Sequence, residues 1–486
     1  MCGIQRNYRK GVESHMEKLN EILVAIDDFV WGIPLIILIM ACGLLLTIRG
    51  RGFQFRHLGK ALKFMVKNEA GGEGEVSSFG ALCTALSATI GTGNIVGVAT
   101  AIAAGGPGAL FWMIVAALLG MATKYAEGFL AIKYRTVDAE GHYLGGPFYY
   151  IEKGMGPGWK WLAKLFAVFG VLAGLLGIGT ITQINGITSA ANNFFASDVV
   201  LTIGGNDITL ATIIASVIVT AAVALVIIGG IQRISTVSQI VVPFMAILYV
   251  VFALILVFTN LTKVPAALLE IVRGAFGMDA VAGGALGAMM VAMQKGVARG
   301  IFSNEAGLGS APIAAAAAQT KEPVRQGLVT MTGTFIDTVI VCTMTGLSIV
   351  ISGAWKPELG LEGVEITTAA FESGLPFPSK VAAFILMICL VFFAFTTILG
   401  WSYYSERCLA YLTGAKKGIT TAYRWLYIAA VFIGPYLTVS AVWTIADIFN
   451  GLMALPNIVG LIALSGIIAK ESKAYFQRNK LGAKVD

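Results

Sequence analysis

The chain has 486 residues, of which 57% are hydrophobic and 13% are charged, against about 25% charged residues in an ordinary soluble domain. This composition excludes a water-soluble globule. The net charge of +7 comes from Lys and Arg in short stretches between apolar runs, which indicates membrane topology and excludes the single basic patch of a nucleic-acid-binding protein.

The apolar runs predict an all-α polytopic membrane protein. Residues 1–28 are interpreted as a leader or N-terminal segment and are left out of the fold. Each later run has about 20 residues or more, enough to cross a hydrocarbon core of about 30 Å. The eleven predicted spans are 29–48, 77–104, 108–134, 161–196, 207–230, 235–259, 280–319, 325–352, 379–411, 424–442 and 444–470.

The loop between the first two spans fixes the predicted orientation, because it carries six basic residues from Arg49 to Lys67. By the positive-inside rule this loop lies in the cytoplasm, and the protein is expected in the cell (plasma) membrane. The N-terminus is then outside and the tail 471–486 is cytoplasmic. Between the sixth and seventh spans, residues 262–277 predict a short amphipathic connector on the outer surface.

Two of the spans are interrupted by glycine-rich segments, GTGN at residues 91–94 and RGIFSNEAGLGS at residues 299–310. Glycine destabilises a helix by about 1 kcal/mol relative to alanine, and unwound backbone at membrane depth occurs only where it is buried in protein or lines a watery cavity. Free amides at such breaks suit an anion, and free carbonyls suit an ammonium group or a cation. We therefore expect a site for a zwitterion, with Gly91, Gly93 and Gly307 freeing the backbone.

The two breaks also resemble each other in sequence. Residues 94–101 and 304–311 share Asn, Gly and Ala at matching positions, with small and hydroxyl residues between them. Five spans start at each copy, and because five is odd the second set crosses the membrane in the opposite direction. The sequence therefore predicts an inverted repeat of 77–259 and 279–470, preceded by one extra helix at 29–48, as in many secondary transporters.

Residues 91–135 and 299–318 resemble the alanine/glycine:cation symporter family, whose architecture is similar to that of the bacterial leucine transporter. The resemblance implies import of alanine or glycine by symport with sodium, through alternating access. The expected partners are the substrate, sodium and the lipid bilayer, with no cofactor and, from the distribution of basic residues, no nucleic acid. Coupling to protons instead of sodium is one alternative. An ion channel is another, because broken helices with carbonyl ends also build selectivity filters. No hydrolase, metalloprotease or ATPase motif occurs, so an enzyme is not expected.

The same resemblance implies two binding sites. The substrate carboxylate would lie on Thr92, Gly93 and Asn94. Its ammonium group would lie near Phe302, Ser303 and Asn304. Sodium would be held by neutral oxygens, which a hard cation accepts as ligands. Its expected ligands are Ala88, Gly91, Phe393, Thr396 and Thr397. Taken without the resemblance, the two threonines are better explained by hydroxyls bonded to their own helix.

Other side chains within spans allow more than one interpretation. Gln183 lies in a glycine-rich helix and is expected to reach the pocket, although it could instead link helices. Trp401 is expected to narrow the pocket or to pack between helices. Asp337 is costly to bury in charged form, so it would balance Lys295 or Arg299, assist a cation or carry a proton.

The remaining charged residues are assigned simpler roles. Lys124 and Glu127, three residues apart, predict an ion pair on the helix surface. Glu305 is expected to pair with Arg299 as a gate. The six cysteines lack CxxC spacing and the three histidines lie outside the apolar runs, so neither a disulfide framework nor a zinc site is expected.

Overall fold

The protein is a bundle of long apolar helices. The computed structural model describes residues 20–67, 69, 71–138, 141–195, 197–203, 206–278, 284–437 and 439–480. Within these ranges, eight helices are long and apolar enough to cross a membrane, and two shorter helices that meet at a 54° bend form a further candidate span. The predicted helical, polytopic class is confirmed, whereas the eleven spans and the inverted repeat stay predictions. Most of the predicted leader and the end of the tail lie outside the described residues.

The first half of the chain begins with the helical segment Asn20–Arg49, most of which is α1. Its α-helices are α1 (Ile33–Arg49), α2 (Phe53–Arg56), α3 (Leu58–Val66), α4 (Ser78–Thr89), α5 (Val98–Gly105), α6 (Gly108–Lys133), α7 (Pro147–Tyr150), α8 (Lys160–Leu176), α9 (Ile181–Phe195), α10 (Leu210–Ile227), α11 (Gly230–Thr259) and α12 (Val264–Ala275). Two π-helical turns, Gly93–Gly97 and Ile151–Met155, and two 3₁₀ turns, Pro157–Trp159 and Leu261–Lys263, join them.

The second half starts with another interrupted helix. Its α-helices are α13 (Ala285–Asn304), α14 (Ala311–Ala315), α15 (Pro323–Thr334), α16 (Thr343–Ser352), α17 (Val364–Gly374), α18 (Ser379–Thr413), α19 (Lys417–Ile433) and α20 (Val439–Lys480). A π-helical segment, Phe335–Cys342, joins α15 to α16, and 3₁₀ turns lie at Pro357–Leu359 and Gly434–Tyr436. The predicted connector at 262–277 contains α12.

The first break separates α4 from α5. Ser77 caps α4, because its Oγ accepts a hydrogen bond of 2.9 Å from the backbone N–H of Gly80. The chain leaves the helical conformation at Ile90 and Gly91, and the π turn Gly93–Gly97 then starts the second half. Single π turns of this kind occur frequently at functional sites. The break lies at the glycines from which it was predicted.

The second break follows α13 at Asn304. Glu305 adopts the left-handed conformation with φ of 56°, and Gly307 and Gly309 have φ values of 93° and 80°. Glycine adopts these values without the steric cost that a Cβ atom imposes. The chain becomes helical again at Ala311, where α14 begins. The break therefore occupies the C-terminal half of the segment in which it was predicted.

Glycines also let α6 approach its neighbours closely. A Cβ atom added to Gly296 of α13 would lie 2.1 Å from the carbonyl oxygen of Ala109, and one added to Gly120 would lie 2.8 Å from the Cβ of Ala306. Small residues at such crossings allow transmembrane helices to pack backbone against backbone. Part of the glycine surplus thus serves packing, and α6 is fixed directly against the second break.

Two features were not predicted from hydropathy. Two short antiparallel hairpins lie between spans, one of β1 (Thr136–Val137) and β2 (Tyr143–Leu144), the other of β3 (Val199–Ile203) and β4 (Asn206–Thr209). In addition, the run predicted as one span at 161–196 is interrupted between α8 and α9. Hydropathy misses both, because strands of two to five residues are too short to give a periodic pattern and the Gly-Ile-Gly turn is as apolar as the helices beside it.

Candidate functional site

The first break lies against the last turn of α13, directly before the second break. A Cβ atom added to Gly93 would lie 3.2 Å from the Cα of Ser303 and 3.3 Å from the Cδ1 of Phe302. Any larger residue at this position would therefore push the end of α13 away from the first break. The structure brings together these three predicted substrate residues, and all three are buried.

Asp337 connects the two breaks. Its Oδ1 accepts a hydrogen bond of 2.8 Å from Asn94 Nδ2, and its Oδ2 accepts one of 2.9 Å from Ser303 Oγ and one of 2.7 Å from Thr338 Oγ1. The carboxyl group is fully buried. It belongs to the π-helical segment Phe335–Cys342, so one side chain of a third helix holds the first break and the end of α13 together.

Arg299 has a different partner from those predicted. Its guanidinium forms an ion pair with Asp447, with 3.0 Å between Nη2 and Oδ2, and lies 5.5 Å from the ring centre of Phe302. The expected pairing of Arg299 with Glu305 is therefore wrong, and so is the hypothesis that it balances Asp337. The sequence could not indicate Asp447, because this residue lies almost 150 positions further along the chain.

The first break has polar groups on either side of Thr92. The backbone N–H of Thr92 donates to Gln183 Oε1 at 3.1 Å, and the N–H of Gly91 donates to Asn94 Oδ1 at 2.9 Å. Gln183 is itself oriented by a bond of 3.0 Å from its Nε2 to the carbonyl oxygen of Ile178. The hydroxyl of Thr92 is buried and has no hydrogen-bond partner among the described residues. Gln183 thus lies at the predicted pocket, next to an unsatisfied hydroxyl.

The predicted sodium ligands separate into two groups. Thr397 Oγ1 lies 3.0 Å from the carbonyl oxygen of Phe393 and 3.3 Å from that of Ile90. Thr396 Oγ1 also bonds to Phe393, at 3.0 Å, but its other neighbour is Met245 Sδ at 3.5 Å. Only Thr397 therefore extends from α18 towards the first break, where its oxygen contacts the carbonyl of Ile90.

Ala88 and Gly91, the other expected sodium ligands, also lie at the junction of α4 and α18. A Cβ atom on Gly400 would be 2.7 Å from that of Ala88, and one on Gly91 would be 2.4 Å from Thr397 Oγ1. The Gly91 carbonyl accepts a bond of 3.2 Å from the N–H of Asn94. The carbonyl of Ile90, which sequence reasoning did not select, is the one in contact with the threonine hydroxyl.

Trp401 and Asn304 are tied to the second break. The indole Nε1 of Trp401 donates to Glu305 Oε1 at 2.7 Å, and Ser310 Oγ donates to the other carboxylate oxygen. Asn304 donates through Nδ2 to Thr338 Oγ1 at 3.0 Å and accepts a bond from the following turn. Trp401 therefore has a specific polar partner as well as its packing contacts, and the left-handed Glu305 is held in place by two side chains.

Glu127 is a residue of this site that sequence reasoning missed. Its Oε1 accepts hydrogen bonds from the backbone N–H groups of Gly307 and Gly309, at 3.1 and 3.2 Å, and from Asn457 Nδ2 at 2.8 Å. The carboxylate is fully buried, and Lys124 Nζ lies 4.0 Å from its other oxygen. The predicted surface pair is thus a buried pair that supports the second break. The sequence feature that could have indicated this role is a pair of opposite charges inside an otherwise apolar span.

Replacing Glu127 by alanine is expected to destabilise the protein by about 3–5 kcal/mol, because it leaves the Lys124 ammonium buried without its counter-charge and two amides without an acceptor. Thermal unfolding of the purified protein in detergent measures this effect. Glu127→Gln keeps one acceptor oxygen and is expected to lose less. A melting temperature for Glu127→Ala equal to that of the wild type would contradict the supporting role.

A cavity of about 840 Å³ lies next to the first break. Its lining includes Val96, two residues after Asn94. It also includes Gly186, where an added Cβ atom would lie 2.5 Å from the Thr92 side chain. Arg299 lines the same cavity. The cavity is therefore lined by close neighbours in the chain of the residues at the buried contact.

Known proteins resemble this chain over almost its full length. The Sodium:alanine symporter family profile matches residues 16–486. An uncharacterized transporter of Haemophilus influenzae is 55% identical over 465 residues, which cover 95% of this chain and 97% of that protein. The sodium/alanine symporter AgcS of Methanococcus maripaludis is 46% identical over 466 residues, covering 94% and 98%. The probable sodium/glutamine symporter GlnT of Bacillus subtilis is 37% identical over 469 residues, covering 96% and 93%.

A solved structure has a similar fold. The crystal structure of MhsT in complex with L-phenylalanine aligns with a TM-score of 0.53 and 14% sequence identity, and the alignment covers 82% of this chain and 99% of MhsT. At this identity the likeness concerns the fold alone. It supports the predicted similarity to the leucine-transporter architecture.

Proposed function

The chain belongs to the sodium:alanine symporter family and is a membrane transporter, not an enzyme, and from this premise we propose that it imports alanine or glycine together with sodium. The observation that carries the proposal is the contact of the first break with the end of α13 at Gly93, beside the buried Thr92 hydroxyl, which has no hydrogen-bond partner among the described residues. Such backbone at membrane depth persists only at a site that satisfies it. The import direction assumes the predicted orientation, with the N-terminus outside and the C-terminus in the cytoplasm.

A zwitterion fits the groups at this contact. The substrate carboxylate takes hydrogen bonds from Thr92, Gly93 and Asn94, at the start of the second half of the broken helix, where the helix dipole is positive. The ammonium group lies towards Phe302 and Ser303, on the side that also carries the Asp337 carboxylate. The two charges of one small molecule are thus met by two groups of residues within one site, with Asp337 in contact with both groups.

The walls of the site favour a small side chain. Gly93 approaches Ser303 closely, and Gln183, Phe302 and Trp401 are all at most 2% exposed. This close packing favours a substrate with a small side chain, so alanine and glycine are preferred over longer residues. Because GlnT is named for glutamine, competition by glutamine is the informative comparison.

Sodium binds where α18 faces the first break. The carbonyl oxygens of Ile90 and Phe393 and the hydroxyl of Thr397 converge there, and these neutral oxygens suit a hard monovalent cation. The ion joins α4 to α18 and so favours the arrangement in which substrate binds. A ligand drives a conformational change only by its differential affinity for two states, and this bridge supplies that difference.

Uptake of radiolabelled alanine into proteoliposomes tests the function. An inward sodium gradient is expected to raise the initial rate at least about tenfold over an equal potassium gradient, with unlabelled glycine competing and glutamine competing poorly. Equal rates in sodium and potassium would overturn sodium coupling. Uptake driven by a proton gradient alone would establish the proton-coupled alternative, and single-channel currents in a planar bilayer would establish a channel.

A further inference from the structure

A second, basic cavity of about 670 Å³ lies far from the transport site, where the end of α1 meets α2, α3 and the last turns of α20. Six of the residues that line it are basic: Arg49, Arg51, Arg56, Lys60, Lys470 and Lys473. Four helical segments therefore direct positive charge towards one space. By the predicted orientation, this space lies at the cytoplasmic end of the bundle.

Within the described part of the chain, this positive charge is not neutralised by neighbouring carboxylates. Among the residues that the structure describes, no Asp or Glu oxygen lies within 4.0 Å of the charged nitrogens of Arg51, Arg56 or Lys473. Glu471, which lies between Lys470 and Lys473 in the chain, instead forms an ion pair with Lys133 at 2.6 Å. Burial, together with the nearby Arg325 guanidinium, lowers the pKa of Lys60. An anion in the cavity would relieve this repulsion.

The cavity has ordered walls. The ring of His57 stacks on Phe476 with 4.0 Å between ring centres, and Lys60 Nζ lies 5.0 Å from the ring centre of Tyr475. The nine-residue helix α3 starts at Leu58, and its N-cap residue, His57, provides no side-chain cap for the first amides. The positive end of this helix therefore adds to the side-chain charges along this wall.

Apolar residues continue from the basic cavity along α1. Leu44 and Ile48, one helical turn apart, have exposed fractions of 48% and 65%, and Arg49 follows directly. A ligand with an anionic head and apolar chains could contact both surfaces at once. Free phosphate would use only the basic one, so the continuity of the two surfaces favours a lipid.

We propose that this cavity binds the phosphate head group of an anionic phospholipid, with the acyl chains against α1. Basic pockets between helices at the cytoplasmic side of membrane proteins are suited to such head groups. The lipid then connects α1 to α20, two elements that are distant in the chain. The site is independent of the substrate and sodium sites.

The test measures binding of dioctanoyl-phosphatidylglycerol to the purified protein in a neutral detergent, by microscale thermophoresis. Dioctanoyl-phosphatidylcholine and inorganic phosphate serve as separate ligands. Saturable binding of phosphatidylglycerol, at least about tenfold tighter than that of phosphatidylcholine and weakened by salt, is expected. Inorganic phosphate that binds as tightly as phosphatidylglycerol would overturn the lipid assignment, and so would equal affinity for the two lipids.

Variants locate the site. The double variant Arg56→Gln, Lys473→Gln is expected to weaken phosphatidylglycerol binding about 30-fold. The reason is that each of the two basic residues contributes a similar share of the attraction to the anionic head group. The matched control, Lys164→Gln with Lys416→Gln, removes two exposed lysines elsewhere and is expected to bind as the wild type does. Gel filtration and the melting temperature without lipid verify that both variants fold. Equal affinities of the two variants would overturn the assignment to this cavity.

Discussion

Replacing Thr397 by valine is expected to raise the sodium concentration for half-maximal alanine uptake about 30-fold, with little change in the amount of folded protein. The hydroxyl of Thr397 lies 3.3 Å from the Ile90 carbonyl and 3.0 Å from that of Phe393, so it completes the oxygen cluster between α4 and α18. Valine keeps the shape and removes this oxygen, and a loss of about 2 kcal/mol corresponds to the expected change. Uptake at varied sodium concentration in proteoliposomes measures it.

Thr396→Val is the matched control for this experiment. Its hydroxyl has Met245 Sδ as its second neighbour and does not extend towards Ile90, so a change of less than about threefold is expected. Thr397→Ser restores the oxygen and should recover most of the sodium affinity. Unchanged sodium activation in Thr397→Val would remove this residue from the proposed ligands, and equal losses in both valine variants would show that the two hydroxyls act together.

Replacing Asp337 by asparagine is expected to lower alanine uptake about 100-fold. The two carboxylate oxygens accept hydrogen bonds from Asn94, Ser303 and Thr338, and so hold the two breaks in one arrangement. An amide offers one acceptor oxygen and places a donor against the other donors, and a buried group left unsatisfied costs about 1–3 kcal/mol. The initial uptake rate, corrected for the amount of monodisperse protein, measures the effect.

Cys342→Ala is the control within the same cluster. The thiol lies 3.3 Å from Asn94 Nδ2 and 3.2 Å from Ser303 Oγ, close to the carboxylate but a weaker acceptor. Its removal is expected to change uptake less than about threefold. If Asp337→Asn transports at the wild-type rate, the carboxylate does not hold the breaks together during transport.

The positions of the helix breaks could be predicted from local sequence. Glycines at 91, 93 and 307 signalled unwinding, and the chain leaves the helix at Ile90 and again at Glu305. The signal works because glycine changes backbone preference at its own position, whatever the helix packs against. The interruption between α8 and α9, after Leu176, is also rich in glycine, but it was not predicted. In a run with several glycines, the sequence does not show which of them interrupts the helix.

The partners of the site residues could not be predicted in the same way. Glu127 was interpreted as a surface residue because a charged pair three positions apart is usually exposed, yet its carboxylate caps the amides of Gly307 and Gly309. Trp401 and Glu305 form a hydrogen bond, although nothing near either residue in the chain indicates the other. Thr396 and Thr397 are adjacent, and only the packing of α18 determines which hydroxyl contacts the first break.

The sequence by itself determined the class of the protein, the positions of two helix breaks and the family. These properties depend on composition, on run length and on motifs within short stretches of chain. Only the tertiary structure decided which groups face each other: Asp337 between the breaks, Arg299 with Asp447, and Ile90 beside Thr397. The reason is that a hydrogen bond or an ion pair depends on distances of about 3 Å, and helix packing sets those distances between residues that are far apart in the chain.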